Sequence, residues 1–274
     1  MTFQMVSHTV HLIRHAQGHH NLTPLNHSMP DPTLTPLGLS QCYALGDSFP
    51  YTPLITHIVA SPLRRTLYTA LESFPTLLQP PRNVKVIALP EIQETSDLPC
   101  DTGSALEVLQ KEFAEGGEGE KWAGCIDLSL VSPGWNDKSI GTDWAPDKTS
   151  VEARAHKARL YLRDLASKYE RDTGNEAHIV VVTHGGLLHF LTEDWCGFNA
   201  VAGTGWANTE FRSYNFKSPE DSVREGVDMA SMEEKPESLK RREGKEKSLT
   251  ADEEREARAV GADVNLQPTV EDEV

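Results

Sequence analysis

Short apolar runs alternate with helix-start signals along most of this chain, and that alternation leaves few architectures open. Val10–Arg14, His57–Ala60, Val84–Leu89 and Ile179–Thr183 read as strands, the last being the most apolar. Thr35 stands as an N-cap ahead of Pro36, and Ser61-Pro62 repeats that pair before a helix running to about Phe74. Further helices are expected over Ser104–Phe113, over Ser150–Tyr169 and after Gly185-Gly186, and Thr209–Phe216 reads as a closing edge strand. The pattern predicts an α/β fold, a single domain over residues 1–216 with a mostly parallel sheet and helices on both faces. Ligands of such sheets sit outside the carboxyl ends of the strands. Here those ends deliver Arg14-His15, the segment Ser61 to Arg65, and His184.

Two regions break the alternation. Gly116–Ser150 holds Gly, Pro, Trp and Asp without a clear period, so it is expected to be a lid or a disordered loop that supplies the pocket walls. Trp122, Trp135 and Trp144 then either line a substrate pocket or pack within that lid. Residues 217–274 carry runs such as Lys-Arg-Arg-Glu-Gly-Lys-Glu-Lys and almost no large apolar side chain. This stretch is expected to be a disordered acidic tail. The low share of hydrophobic residues, 38%, agrees with a chain that is only partly packed.

A formal net charge of −15 argues against a nucleic-acid or anionic-membrane partner, since either needs a basic face. It leaves a small anionic substrate open, because a few arginines in a cleft set the local field. No stretch approaches the roughly 18 apolar residues of a membrane span, and the first residues lack a signal-peptide pattern. Cys42, Cys100, Cys125 and Cys196 are scattered without a CxxC pair, which points to a reducing compartment. A cytoplasmic location, with the nucleus also open to it, is expected. Oligomeric state is not encoded in any feature of the sequence.

The residues at the strand ends suit phosphoryl transfer. An imidazole nucleophile splits the reaction through a phosphohistidine. Guanidinium groups bind the equatorial oxygens bidentately at any physiological pH. A carboxyl group protonates the leaving oxygen and later activates water. The sequence supplies Arg14-His15-Ala16-Gln17-Gly18 with Asn21, then Ser61-Pro62-Leu63-Arg64-Arg65-Thr66 with Thr69-Ala70. Gln93-Glu94, Cys100-Asp101-Thr102-Gly103 and Thr183-His184-Gly185-Gly186 follow in order. Each of these is weak alone, and the ordered set is specific.

In that order the motifs resemble those of the histidine phosphatase superfamily, its phosphoglycerate mutase-like branch, over about residues 8 to 216. The resemblance implies a phosphomonoester phosphatase acting on a small phosphorylated metabolite, with no metal and no organic cofactor. It matches His15 to the nucleophile, Arg14 and Arg65 to the phosphate grip, His184 to the second pocket histidine and Glu94 to the proton donor. Asn21 and Gly185 match phosphate-contacting positions, and Gly18 lets the backbone turn closely beneath the site. The resemblance prefers Arg65 to Arg64, because the family's arginine stands four residues after the serine and four before the threonine, the places of Ser61 and Thr69 here. Glu91 and Asp101 remain alternatives for the acid. Ala16 replaces the family's usual glycine, a change acceptable if the backbone there keeps a negative φ. The spacing of His15, His19 and His20 does not define a metal site. Two further readings stay open: a phosphoglycerate-type mutase using the same chemistry, and a non-catalytic phosphate-binding interaction protein.

Overall fold

The structure is a computed structural model, and it describes residues 8–198, 204–218 and 230–242. Seven strands form one sheet in the order β4-β3-β2-β5-β1-β6-β7. They are β1 (Thr9–Arg14), β2 (His57–Ala60), β3 (Val86–Ala88), β4 (Ile126–Asp127), β5 (His178–Thr183), β6 (Phe211–Phe216) and β7 (Met232–Glu234). β1 to β5 run parallel to one another, and β6 is antiparallel to both β1 and β7.

Side chains alternate across the strands and divide the core in two. Ile13, Ile58, Ala60, Val180 and Val182 pack with α1 (Pro36–Ser48), α2 (Arg64–Ser73), α3 (Pro75–Leu78) and α4 (Leu106–Glu112). Val10, Leu12, Val59, Ile179 and Val181 pack on the other face against α5 (Lys148–Thr173) and α6 (Gly185–Thr192). Helices on both faces of a mostly parallel sheet are the α/β architecture read from the alternation. The Thr35 cap is in place, its hydroxyl accepting from Gly38 N at 3.0 Å.

Register places the chemistry. Arg14 lies beside Thr183, and Ala60 beside both Val182 and Ala88. The ladder continues one step further, with His15 N donating to Thr183 O (2.9 Å) and Ser61 N to Val182 O (3.0 Å). His15, Ser61 and His184 therefore leave the sheet at one edge, side by side.

Three expectations need correction. Ser61 does not cap α2, which starts at Arg64 after Leu63. The 116–150 insertion is not a pocket wall: it adds β4 to the sheet, and its tryptophans pack inward. Trp135 is fully buried and donates Nε1–H to Ser104 O, Trp122 donates to Glu72, and Trp144 packs against the same core. The charged segment after 217 is not unstructured throughout. Residues 230–242 hold β7 and α7 (Pro236–Arg242), which complete the sheet and cover β6. Composition misread this segment because its charges are mutually satisfied. Arg242 pairs with Glu234 (2.6 Å) and Asp194 (2.8 Å), and Ser238 is buried against Ser213 N. The remainder of the expected tail, 219–229 and 243–274, lies outside the described residues.

Candidate active site

His15 is buried at the end of β1, and its tautomer is fixed by its own turn. The Ala16 carbonyl can only accept, so the 2.7 Å contact from Nδ1 assigns the ring proton to Nδ1. The lone pair is then on Nε2. Burial, with Arg65, His20 and Arg14 nearby, pushes the His15 pKa well below its ordinary 6.5. The imidazole is held neutral, as a nucleophile requires. Ala16 is not among the residues with positive φ, and its N–H donates to Thr69 Oγ1 (3.0 Å).

Arg65 lies on the first turn of α2 and is fully buried. Its Nε–H reaches His15 Nε2 at 3.3 Å, and its Nη2 reaches both Asp101 Oδ1 (2.8 Å) and His184 Nδ1 (3.0 Å). Since a guanidinium cannot accept, His184 Nδ1 is an acceptor and Nε2 carries the proton, donated to Ser61 Oγ at 2.8 Å. The His15 and His184 ring centroids are 5.3 Å apart. Arg64 points elsewhere, to Glu112 and Glu118. Arg14 donates through Nη1 to Trp206 O, while its buried Nε has no hydrogen-bond partner among the described residues. A buried donor of this kind is costly unless something else accepts from it.

Glu94 is held by the start of α6. Its carboxylate accepts from Thr95 N (2.9 Å), Gly186 N (3.2 Å) and Leu187 N (3.0 Å). A Cβ on Gly186 would stand 2.7 Å from Glu94 Oε1, so only glycine admits the carboxylate there. Burial, then the neighbouring Asp101, raises the Glu94 pKa, against the lowering influence of Arg65 and the backbone N–H groups. The backbone of the same loop is clamped by two cations. Arg154 on α5 donates to the carbonyls of Glu91 (3.0 Å), Gln93 (2.8 Å) and Glu94 (3.2 Å). Lys138 of the insertion, buried, donates to Glu94 O at 2.6 Å. Gln93 Nε2 adds a bond to Trp135 O (2.9 Å).

Arg14, His15, Asn21, Glu94, Asp101 and Gly185 line one cavity of about 210 Å³, with His20, His27, Leu98, Phe190, Phe198 and Thr204. Asn21 uses its Oδ1 to accept from Gly18 N (3.0 Å). Gly18 itself leaves room for the His20 ring, which a Cβ would meet at 2.7 Å. Thus the structure brings together Arg14, His15, Asn21, Arg65, Glu94, His184 and Gly185. Of the alternative acids, Asp101 is at the site but paired with Arg65, and Glu91 does not line the cavity. Among the described residues, no group of three or more His, Cys, Asp or Glu is placed to hold a metal ion.

Sequence reasoning gives no role in the site to four contributors, two of which, Thr69 and His20, it names. Thr69 and Asn208 brace the His15 turn, Asn208 through Nδ2 to His15 O (2.8 Å). His20 faces His15 with ring centroids 5.4 Å apart. Lys138 fixes the Glu94 backbone from 44 residues away. A threonine four residues after Arg65, one helical turn on, is a readable signal; the other three have none.

The model of the histidine phosphatase superfamily (branch 1) matches residues 10–226. No curated protein matches the chain. Among solved structures, the ecdysone phosphate phosphatase of Bombyx mori, in complex with tungstate, is similar at 16% identity and a TM-score of 0.51. The match covers 77% of this chain and 93% of that one, and it shows a shared fold. A phosphoserine phosphatase of Entamoeba histolytica, in complex with phosphoserine, is 20% identical over 77% of this chain and 91% of its own, with a TM-score of 0.42. A mycobacterial glucosyl-3-phosphoglycerate phosphatase is 18% identical over 83% and 96%, with a TM-score of 0.47.

Proposed function

The chain belongs to the histidine phosphatase superfamily, branch 1, and from that premise we propose that it is a phosphomonoester phosphatase of the phosphoglycerate mutase-like kind. The observation that carries the reading is the His15 tautomer, which leaves a neutral Nε2 lone pair beside Arg65 at the end of the sheet. Arg14 and Arg65 take the phosphoryl oxygens, with Asn21, Gly185 and His184 completing the cradle. The Arg65–His15 contact is long, so a phosphoryl oxygen competes readily for that donor.

In the first step His15 Nε2 attacks phosphorus in line as the P–O bond to the organic group breaks. Glu94, entering this step as the carboxylic acid, gives its proton to the departing oxygen; burial, which raises its pKa, favours that form. In the second step the Glu94 carboxylate takes a proton from water, whose oxygen bonds to phosphorus as the P–N bond breaks. Inorganic phosphate leaves, and His15 and Glu94 return to their starting forms. The two guanidinium groups supply the positive charge for the transition state, so the reading requires no metal ion. Four free, buried cysteines accord with the reducing cytoplasm to which we assign the protein.

The test is rapid quenching during turnover of p-nitrophenyl phosphate in EDTA, followed by mass spectrometry. An acid-labile phosphate on the His15 peptide, with steady phosphate release, is expected. Interconversion of 2- and 3-phosphoglycerate without net release would replace hydrolase by mutase. Phosphate binding with no turnover of any ester would leave a phosphate-binding interaction protein.

A further inference from the structure

The cavity has two unlike sides. Charged and polar groups surround the His15 end, whereas the wall that continues from Glu94 along α6 is apolar. Phe190 follows Gly186 by four residues, so both meet the cavity from one face of the helix. Phe198 extends that wall, and Leu98 joins it from the acid-bearing loop. The phenylalanine rings are braced from behind. Trp195 packs edge-on against Phe190 (5.0 Å between centroids) and Phe198 (5.4 Å), and His189 against Phe198 (5.3 Å). A wall fixed this way covers an apolar group with little ordering cost.

Cations are confined to the other side. Arg14 is the single Arg or Lys among the described lining residues, and Arg65 stands behind it. Both are committed to the phosphoryl group. The other ionisable side chains lining the cavity are the acids Glu94 and Asp101 and the imidazoles of His15, His20 and His27. Burial and the nearby Arg65 push the His20 pKa down to about 2, so its imidazole adds no positive charge at neutral pH. A second carboxylate or phosphate on the substrate would be desolvated beside two acidic side chains, with no further Arg or Lys among the described lining residues to pair with it. The net charge of −15 opposes it at longer range.

Within the phosphatase reading, on which this rests, we infer that the substrate is a monoester of an uncharged apolar or aromatic alcohol. Its organic group lies along Phe190, Phe198 and Leu98, and esters with a carboxylate close to the phosphoryl group are poor substrates.

The test measures phosphate release by the full chain from 2-phenylethyl phosphate, glycerol 2-phosphate and 3-phosphoglycerate, three esters with alkoxide leaving groups. The phenylethyl ester should exceed 3-phosphoglycerate in kcat/KM by about 30-fold, the effect of covering one ring. Phe198→Ala should cut the ratio of phenylethyl to glycerol ester by about 5-fold. Leu98→Lys, at a half-exposed position that does not endanger folding, should improve the relative rate on 3-phosphoglycerate by about 10-fold. Equal or faster hydrolysis of 3-phosphoglycerate by the unaltered protein would overturn the inference and leave the phosphatase reading standing. If folded protein hydrolyses none of the three, nor p-nitrophenyl phosphate, both fall together.

Discussion

The strand-end cluster proposed to grip phosphate and the loop proposed to carry the acid meet at one cavity, yet they are built differently. Arg14, His15 and His184 follow directly from β1 and β5, and Arg65 stands on the first turn of the helix after β2. Sheet register brings them together, because each lies at the carboxyl end of a strand or on the first turn of the helix that follows one. Glu94 follows β3 by a 3-10 turn and has no such frame. Its position depends on Arg154, Lys138 and Trp135, which reach it from 42 to 61 residues away. One half of the site is set by local motifs, the other by distant clamps. The two halves should therefore respond differently to substitution.

The largest effect is expected from His15→Ala, which removes the attacking atom. The kcat should fall by about 10⁴-fold or more on every ester, whatever its leaving group. Rates above about one hundredth of the unaltered protein's would mean that the strand-end half does not hold the nucleophile. Glu94→Gln should be selective. General acid help matters for an alkoxide leaving group and little for p-nitrophenolate, so the loss should be about 10²–10³-fold on glycerol 2-phosphate and under about 10-fold on p-nitrophenyl phosphate. Asp101→Asn makes the contrast sharper. Asp101 holds Arg65, so its loss should weaken phosphate binding equally for both leaving groups. If leaving-group selectivity followed Asp101 instead, the proton donor would be Asp101.

The difference between the halves also explains what could be read in advance. Arg65 could be chosen over Arg64 because its register to Ser61 and Thr69 is local, and the structure places Arg65 at the site and Arg64 on Glu112. Lys138 could not be chosen, because nothing near it in sequence marks an ammonium group destined for a carbonyl 44 residues away. The tryptophans misled for a related reason. In an aperiodic stretch, Trp135 offers the same signal whether it faces a ligand or the core, and the core wins by covering its whole surface. Counting charges singly predicts disorder for the segment 230–242. Glu234, Arg242 and Asp194 neutralise one another only once β7 pairs with β6.

A smaller, more diagnostic effect is expected from Lys138→Met. Burial and Arg154 push the Lys138 pKa below 10.5, and its Nζ donates to Glu94 O at 2.6 Å. Its loss lets the acid drift by a fraction of an ångström, which costs about 10-fold in kcat on an alkyl ester. Inhibition by inorganic phosphate reports the strand-end half, and its constant should stay within about 2-fold. Lys138→Arg, which keeps an N–H donor, should recover part of the rate. An equal change in phosphate binding would show that the two halves are not separable.

The pH profile divides the halves without mutation. His15 has its pKa depressed, so it is neutral down to pH values well below 6.5 and no acid limb should appear near 6.5. Glu94 must begin protonated, and its pKa is raised above 4.5, so kcat on alkyl esters should fall as pH rises through that elevated value. With p-nitrophenyl phosphate the decline should be weaker, since its first step needs no proton. An acid limb centred at 6.5 would mean that His15 takes up a proton as freely as in water, and the burial argument for the nucleophile would fail.

The least effect on catalysis, and a clear one on stability, is expected from truncation. A chain ending at Arg242 keeps β7 and α7, whereas one ending at Phe216 exposes the β6 edge and strips Arg242 from Asp194. Tyr214 and Ser213, buried on β6, lose cover from Met232 and Ser238. A three-residue pairing and one half-buried ion-pair cluster together contribute roughly 3 kcal/mol. For a domain of this size that lowers Tm by about 6–12 °C. None of the removed side chains among the described residues lines the cavity, so kcat/KM of the folded fraction should stay within about 3-fold. Both halves of the site draw their geometry from strands β1, β2 and β5 and from the Arg154 and Lys138 clamps, and β7 pairs only with β6. An unchanged Tm would show that the charged segment adds nothing to the sheet. A collapse of activity at unchanged folding would mean instead that the strand-end half depends on distant support too, which would erase the distinction between the halves.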